Sequence, residues 1–270
     1  MKTPLTLLVA LILAGTGIDE PEKSETQNIS TMQQDVKMPQ LRILSLYDNR
    51  RIEEGLKTSW GFACLIQTPD ENILFDTGGD PETLFDNMEK MDVDPQSIHK
   101  VFISHIHGDH RGGLEGFLAK NPEVTVYLPA SFPGEVTETI RNTGASYERV
   151  SGAQQIAKHI YSTGELKGSP SEQALIVESG NGLVVITGCA HPGIAGMVKK
   201  AKKQRDAEKI HLVMGGFHQP PPEVIDDFND MGVMKVAPSH CTGETMIRRF
   251  REAFGGNFVE FGVGKEVEIR

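Results

Sequence analysis

Cysteine, aromatic residues, basic charge and long apolar runs are all scarce in this chain of 270 residues, and each shortage excludes something. Three cysteines, Cys64, Cys189 and Cys241, cannot make the disulfide framework of a small secreted scaffold. Aromatics amount to 6%, with Trp60 the single Trp, against 28 glycines, a balance suited to tight turns between short elements. Acidic side chains outnumber basic ones 37 to 27, so the chain carries −10 and lacks the cationic surface that wraps nucleic acid. An anionic substrate would need a local positive centre, such as a metal ion, to approach it. The sustained apolar stretch Leu5–Ala14 is about half the ~20 residues a membrane-spanning helix needs. Collagen, coiled coil and multi-span membrane protein are excluded. The 38% hydrophobic content still supplies a sizeable core.

The ends of the chain are punctuated differently from its middle. Lys2, the short apolar stretch and the small residues Gly15, Thr16 and Gly17 match an export signal over residues 1–17. Leu13-Ala14-Gly15 resembles the start of a lipoprotein signal, but Thr16 stands where that signal requires Cys. The expected location is outside the cytoplasm: periplasmic, extracellular or tethered to a membrane. Residues 18–40 are polar, include Asp19, Glu20, Glu22 and Glu25, and show no hydrophobic period, as a flexible tether does. The compact domain is expected over residues 41–270.

From Leu41 onward strands and helices interleave. Strands are expected at Leu41–Tyr47, Phe62–Gln67, Asn72–Asp76, Val101–Ser104, Val124–Leu128, Ala174–Glu178, Leu183–Thr187, Ile210–Met214 and Val233–Ala237. Helical patterns follow Pro81 and cover Leu114–Lys120, Ala195–Arg205, Glu223–Met231 and Thr245–Phe254. That order predicts a layered α/β domain.

Chemistry concentrates at His105-Ile106-His107-Gly108-Asp109-His110, directly after a predicted strand. Imidazole suits zinc, iron, nickel or copper, and a carboxylate adds an anionic donor. Gly108 lets the backbone bend between the pair His105/His107 and the pair Asp109/His110. A catalytic zinc usually takes three protein ligands, so further donors are required. They stand where other predicted strands end: Cys189 and His191, His218, and His240 beside Cys241. Asp76 closes another strand and suits a carboxylate that orients a ligating imidazole through its other nitrogen. His99, His159 and His211 lie before or within predicted strands and read as ordinary residues. The run Lys199, Lys200, Lys202, Lys203 and Arg205 reads as the solvated face of a helix. Trp60 reads as a residue packed on the core.

Phe75-Asp76-Thr77-Gly78, the His105–His110 motif and the later strand-end histidines resemble the metallo-β-lactamase-fold superfamily of metal-dependent hydrolases. The resemblance covers residues 41–270 and implies an αββα sandwich: two facing sheets with helices outside and a metal site along one edge. Gly188-Cys189-Ala190-His191-Pro192-Gly193, Gly215-Gly216-Phe217-His218 and Pro238-Ser239-His240-Cys241-Thr242-Gly243 are similar to a narrower branch. That branch is named for 7,8-dihydropterin-6-methyl-4-(β-D-ribofuranosyl)aminobenzene 5′-phosphate synthase.

The resemblance implies a binuclear centre of divalent ions, zinc first, with manganese or iron as alternatives. His105, His107 and His191 would hold one ion, and Asp109, His110 and His240 the other. Cys189 follows Thr-Gly where many relatives use a bridging Asp, so it is an alternative to His191. Asp109 would also orient a water nucleophile, and His218 would donate a hydrogen bond to substrate or a developing oxyanion. The expected activity is hydrolysis of an ester or phosphate ester of a small, anionic molecule. The alternatives are a transferase like the synthase of the branch and a non-hydrolytic metal-binding or redox module. Flavo-diiron relatives tend to carry Glu where His107 stands, which weighs against the redox reading.

Overall fold

The computed structural model describes residues 40–269; the predicted export signal and nearly all of the predicted tether lie outside the described residues. Strands β1 (Leu41–Tyr47), β2 (Ala63–Gln67) and β3 (Asn72–Phe75) form an antiparallel meander. Helix α1 (Pro81–Lys90) follows, with Asp80 capping its first turn through Thr83 N. Then come β4 (Lys100–Phe102), a one-turn helix α2 (Gly108–Arg111), α3 (Leu114–Lys120) and β5 (Thr125–Pro129). Helix α4 (Gly134–Asn142) leads to β6 (Ser146–Val150), and β13 (Glu266–Ile269) pairs with β1. The first sheet runs β13-β1-β2-β3-β4-β5-β6, parallel from β3 to β6.

The second sheet is built from β7 (Gln154–Ala157), β8 (Ile160–Ser162), β9 (Leu175–Ser179), β10 (Gly182–Thr187), β11 (Ile210–Gly216) and β12 (Val233–Ser239). Its order is β12-β11-β10-β9-β8-β7, and β10, β11 and β12 are parallel. Helices α5 (Ile194–Gln204) and α6 (Val224–Met231) make the crossovers, and α7 (Glu244–Phe254) packs after them.

Alternation along the strands divides the core into three layers. Ile43, Ile66, Phe75 and Phe102 of the first sheet face Val177, Val184, Ile186 and Met214 of the second. Leu65, Leu74, Val101 and Val126 point the other way, onto Leu84, Met88, Phe117 and Ile140 of α1, α3 and α4. Val185, Val213 and Val236 point onto Met197, Phe228 and Phe250 of α5, α6 and α7. The result is the expected αββα sandwich. Strand directions follow from connection length: hairpins join antiparallel neighbours, and helical crossovers join parallel ones.

Four elements between Ala130 and Gln173 (α4, β6, β7 and β8) and the last strand β13 carried no readable pattern. The sequence of β6, SYERV, is mostly exposed at a sheet edge, where strands bury one side chain in several instead of alternating cleanly. Among the described residues, no helix is long and apolar enough to cross a membrane.

Candidate metal centre

Parallel strands send their carboxyl ends to one edge of the sandwich, and the chemistry collects there. Asp76 follows β3, His105 follows β4, Cys189 and His191 follow β10, His218 follows β11 and His240 follows β12. The turn of α2 carries Asp109 and His110, tied down by Thr77, whose N and Oγ1 both donate to the His110 carbonyl. Among the described residues eight non-glycine positions have positive φ, and five of them ring this edge: Asp76, Ala190, His218, Gln219 and His240. Each such position costs about 1–3 kcal/mol, and such strain gathers where function requires it.

Four imidazoles are locked through Nδ1. Ser104 Oγ donates to Asp76 Oδ2 (2.7 Å), so its lone pair accepts from His105 Nδ1 at 2.9 Å. His110 Nδ1 lies 2.7 Å from Asp76 Oδ2. Asn49 Nδ2 donates to the His240 carbonyl, which turns its Oδ1 toward His240 Nδ1 at 2.9 Å. His191 Nδ1 meets Glu172 Oε2 at 3.1 Å. These partners assign the proton to Nδ1 in all four rings and leave each Nε2 with a bare lone pair.

The bare nitrogens converge. His110 Nε2 lies 3.2 Å from His240 Nε2 and 3.2 Å from Cys189 Sγ, with Asp109 Oδ2 at 3.6 and 3.3 Å from the two rings. His105 Nε2 lies 3.2 Å from His107 Nδ1, and its ring centroid is 4.7 Å from that of His191. Lone pairs facing one another with no proton between them repel unless a cation stands among them. The donor set suits such a cation: imidazole, carboxylate and thiol are the ligands of transition metals.

Two groups take shape within this cluster. His105, Cys189 and His191 form one and His110, Cys189 and His240 the other, with one donor atom of each residue within 4.8 Å of its partners. His107 adjoins the first group and Asp109 the second. Every metal-donor residue singled out in the sequence is present at this edge. Cys189 and His191 both stand at this edge, and Cys189 belongs to both groups.

Protonation follows burial. Loss of solvent, reinforced by neighbouring imidazoles, pushes His105 down to about 2 and His110 down to about 3, so both rings are neutral donors. Burial pushes the Asp76 carboxyl up, against the lowering effect of the two hydrogen bonds from Ser104. Asp109, half-buried, lies below the usual carboxylate range in spite of its partial loss of solvent.

Glu172 had no signal in the sequence and is central here. It is fully buried, and its Oε1 accepts from the N–H groups of Gly188 (3.1 Å), Cys189 (2.9 Å) and Ala190 (2.8 Å). Its Oε2 accepts from His191 N at 2.9 Å besides the His191 ring. Burial would raise its pKa, yet the His191 bond, the His105 ring and the backbone donors hold it down at about 2. Gly188 is fixed by the same crowding: a Cβ there would come 2.1 Å from Ser104 Oγ.

Trp60 corrects the expectation. It is 59% exposed and stands at the rim, its ring centroid 4.9 Å from that of His240. Its backbone carbonyl packs against Gly79, and the next residue, Gly61, packs against the Asp109 carbonyl. His218 is exposed and lies over His191, the ring centroids 4.4 Å apart. His99 and His159 face Glu71 and Glu178 away from the cluster.

Asp48, next to Asn49, is fully buried, accepts from Arg50 N through Oδ1 and has no partner at Oδ2. Burial pushes it up to about 6. A raised carboxyl contributes stability that is full below its unfolded value of about 4 and lost as pH rises through 6. Asp48→Asn is therefore expected to exceed the native chain in stability at pH 8 by up to about 3 kcal/mol, an advantage absent near pH 4. Urea unfolding at the two pH values checks this, and equal stabilities at pH 8 would refute it.

The fold is that of a metallo-β-lactamase-type sandwich. The chain belongs to the metallo-beta-lactamase superfamily, whose family model matches residues 61–240. It is 27% identical over 249 residues to the 7,8-dihydropterin-6-methyl-4-(beta-D-ribofuranosyl)-aminobenzene-5'-phosphate synthase of Methanocaldococcus jannaschii, covering 74% of this chain and 85% of that one. Among solved structures, Tm1679, described as a metal-dependent hydrolase of the beta-lactamase superfamily, superposes with a TM-score of 0.71 at 28% identity, covering 85% of this chain and 99% of that one. The short form of human tRNase Z shares the fold with a TM-score of 0.59 at 14% identity, covering 85% of this chain and 99% of that one.

Proposed function

We propose that this chain is a metal-dependent hydrolase of an ester or phosphate ester, with His105, His107, His191 and Cys189 holding one ion and Asp109, His110, His240 and Cys189 the other. The observation that carries the reading is the set of four Nδ1-anchored imidazoles gathered around Cys189, with Asp109 beside the His110 and His240 rings. Bound divalent ions, zinc first and manganese or iron otherwise, would supply the Lewis acidity that brings water toward neutral pKa and polarises the substrate. Asp109, ionised and partly exposed, accepts a hydrogen bond from the attacking water and so aims its lone pair. His218 stands on the solvent side of His191, where an N–H can reach substrate oxygen as charge builds on it. Trp60 gives the substrate a flat apolar wall beside His240. The chain's −10 charge makes cations at this edge the natural receptor for an anionic substrate.

Chelation is expected to lower hydrolysis of phosphodiester, phosphomonoester or lactone probes by at least about a thousandfold, with recovery on adding zinc, manganese or iron. Full turnover by metal-free protein would overturn the reading. Group transfer is the second reading, favoured by the match to the synthase along most of both chains. Formation of the product named for that relative, with no hydrolysis of the probes, would put transfer first.

A further inference from the structure

Two thiols and an imidazole meet beside the metal centre in an arrangement that the hydrolytic reading leaves unused. Cys189 stands just past β10 and Cys241 just past β12, and both are buried. Strand β11 runs between them and ends at Gly216, where a Cβ would come 2.7 Å from Cys241 Sγ and 3.3 Å from Cys189 Cα. The missing side chain lets the two sulfurs lean toward each other over the strand. Cys241 Sγ accepts from His218 N at 3.3 Å and lies 3.8 Å from the Cys189 carbonyl oxygen. One donor atom each of Cys189, His218 and Cys241 lies within 4.8 Å of the other two.

We propose that Cys189, His218 and Cys241 form a third cation site, rich in sulfur and selective for thiophilic divalent ions, which shares the Cys189 sulfur with the two imidazole-rich groups. Two thiolates and one imidazole around a tetrahedral ion would sit with the sulfurs about 3.8 Å apart, given metal–sulfur bonds of about 2.3 Å. The three donor atoms already lie within 4.8 Å of one another. Soft donors select zinc or cadmium over magnesium, calcium or manganese. On binding, each thiol still protonated releases its proton to solvent. In that state the His218 ring is a ligand and no longer faces substrate. Cys241 stands outside the hydrolytic reading, which enters through the sharing of Cys189 and through the second role of His218. Cys64, buried in the core between the sheets, is an internal control.

The full chain is first loaded with two equivalents of zinc, the number the binuclear reading requires, and then titrated with cadmium. Thiolate-to-cadmium absorption and cadmium NMR are followed alongside metal content. One further ion per chain, in a two-sulfur environment, is the expected result. Cys241→Ser is expected to halve the absorption and weaken uptake of that ion at least tenfold, while Cys64→Ser changes neither. Identical absorption and affinity in native and Cys241→Ser chains would overturn the site. So would the absence of any two-sulfur cadmium resonance in the native protein, a test that needs no variant to fold. A shortfall in the initial zinc loading would count against the binuclear hydrolase, whereas a two-sulfur cadmium signal would still uphold this site.

Discussion

A Cys189→Ala chain is expected to lose metal from both proposed positions, whereas His191→Ala loses it from one. The Cys189 sulfur is common to both donor groups, 3.2 Å from His110 Nε2 and within 4.8 Å of donor atoms on His105, His191 and His240. Removing it strips a ligand from each ion at once. Losing an outer partner of a ligand commonly costs 10–100-fold in metal affinity, and losing a shared ligand exceeds that at both positions. Turnover of a phosphodiester probe is expected to fall by about a thousandfold or more. His191→Ala leaves His105, His107 and Cys189 in place, so one ion weakens and the other stays. Elemental analysis after dialysis reads the difference. Equal losses from the two variants would remove Cys189 from its shared position, and full retention by His191→Ala would remove that ring from the ligand set.

Glu172→Ala is expected to damage the fold as well as the centre. Five N–H donors end on this carboxylate: four backbone groups of the 188–191 turn and the His191 ring. Each buried donor left unpaired costs about 1–3 kcal/mol, so the total exceeds about 5 kcal/mol, the scale of a whole domain's stability. A fall in Tm of more than about 10 °C follows for a domain of this size. Glu172→Gln keeps the shape but turns an amide NH2 toward N–H groups on one side, with an expected loss of about 2–3 kcal/mol. Its effect on metal falls mainly on the first group, because His191 loses its anchor there. Thermal unfolding of both variants, with metal content measured alongside, tests the order. A native Tm for Glu172→Ala would show that the turn holds itself without the carboxylate.

These two residues also mark the boundary of what was legible in the sequence. Cys189, like the six metal donors and Asp76, announced itself because each follows an apolar run that reads as a strand, and open sheets gather chemistry at such ends. Glu172 is one of 37 acidic residues and follows a polar loop with no period. It reaches the site through an antiparallel bridge to His105, a contact that exists only after both sheets have formed. Asn49 is hidden for the same reason: its value lies in facing His240 from a distant part of the chain. The αββα layering was legible because inward and outward apolar positions alternate in the central strands. The edge strands β6, β7 and β8 were not, since a strand with one covered face and a free edge tolerates Ser, Gln and Glu.

Trp60 has one more consequence. It is the single indole in the chain, mostly open to solvent, with its ring against His240. The protein thus carries its own fluorophore at the mouth of the proposed metal centre, with no second tryptophan to dilute the signal. An ion that draws the His240 lone pair alters the quenching of that emission, and a substrate that covers the ring shifts it toward the blue. Occupancy of the centre and engagement of a ligand can therefore be followed as two separate optical changes in unlabelled protein.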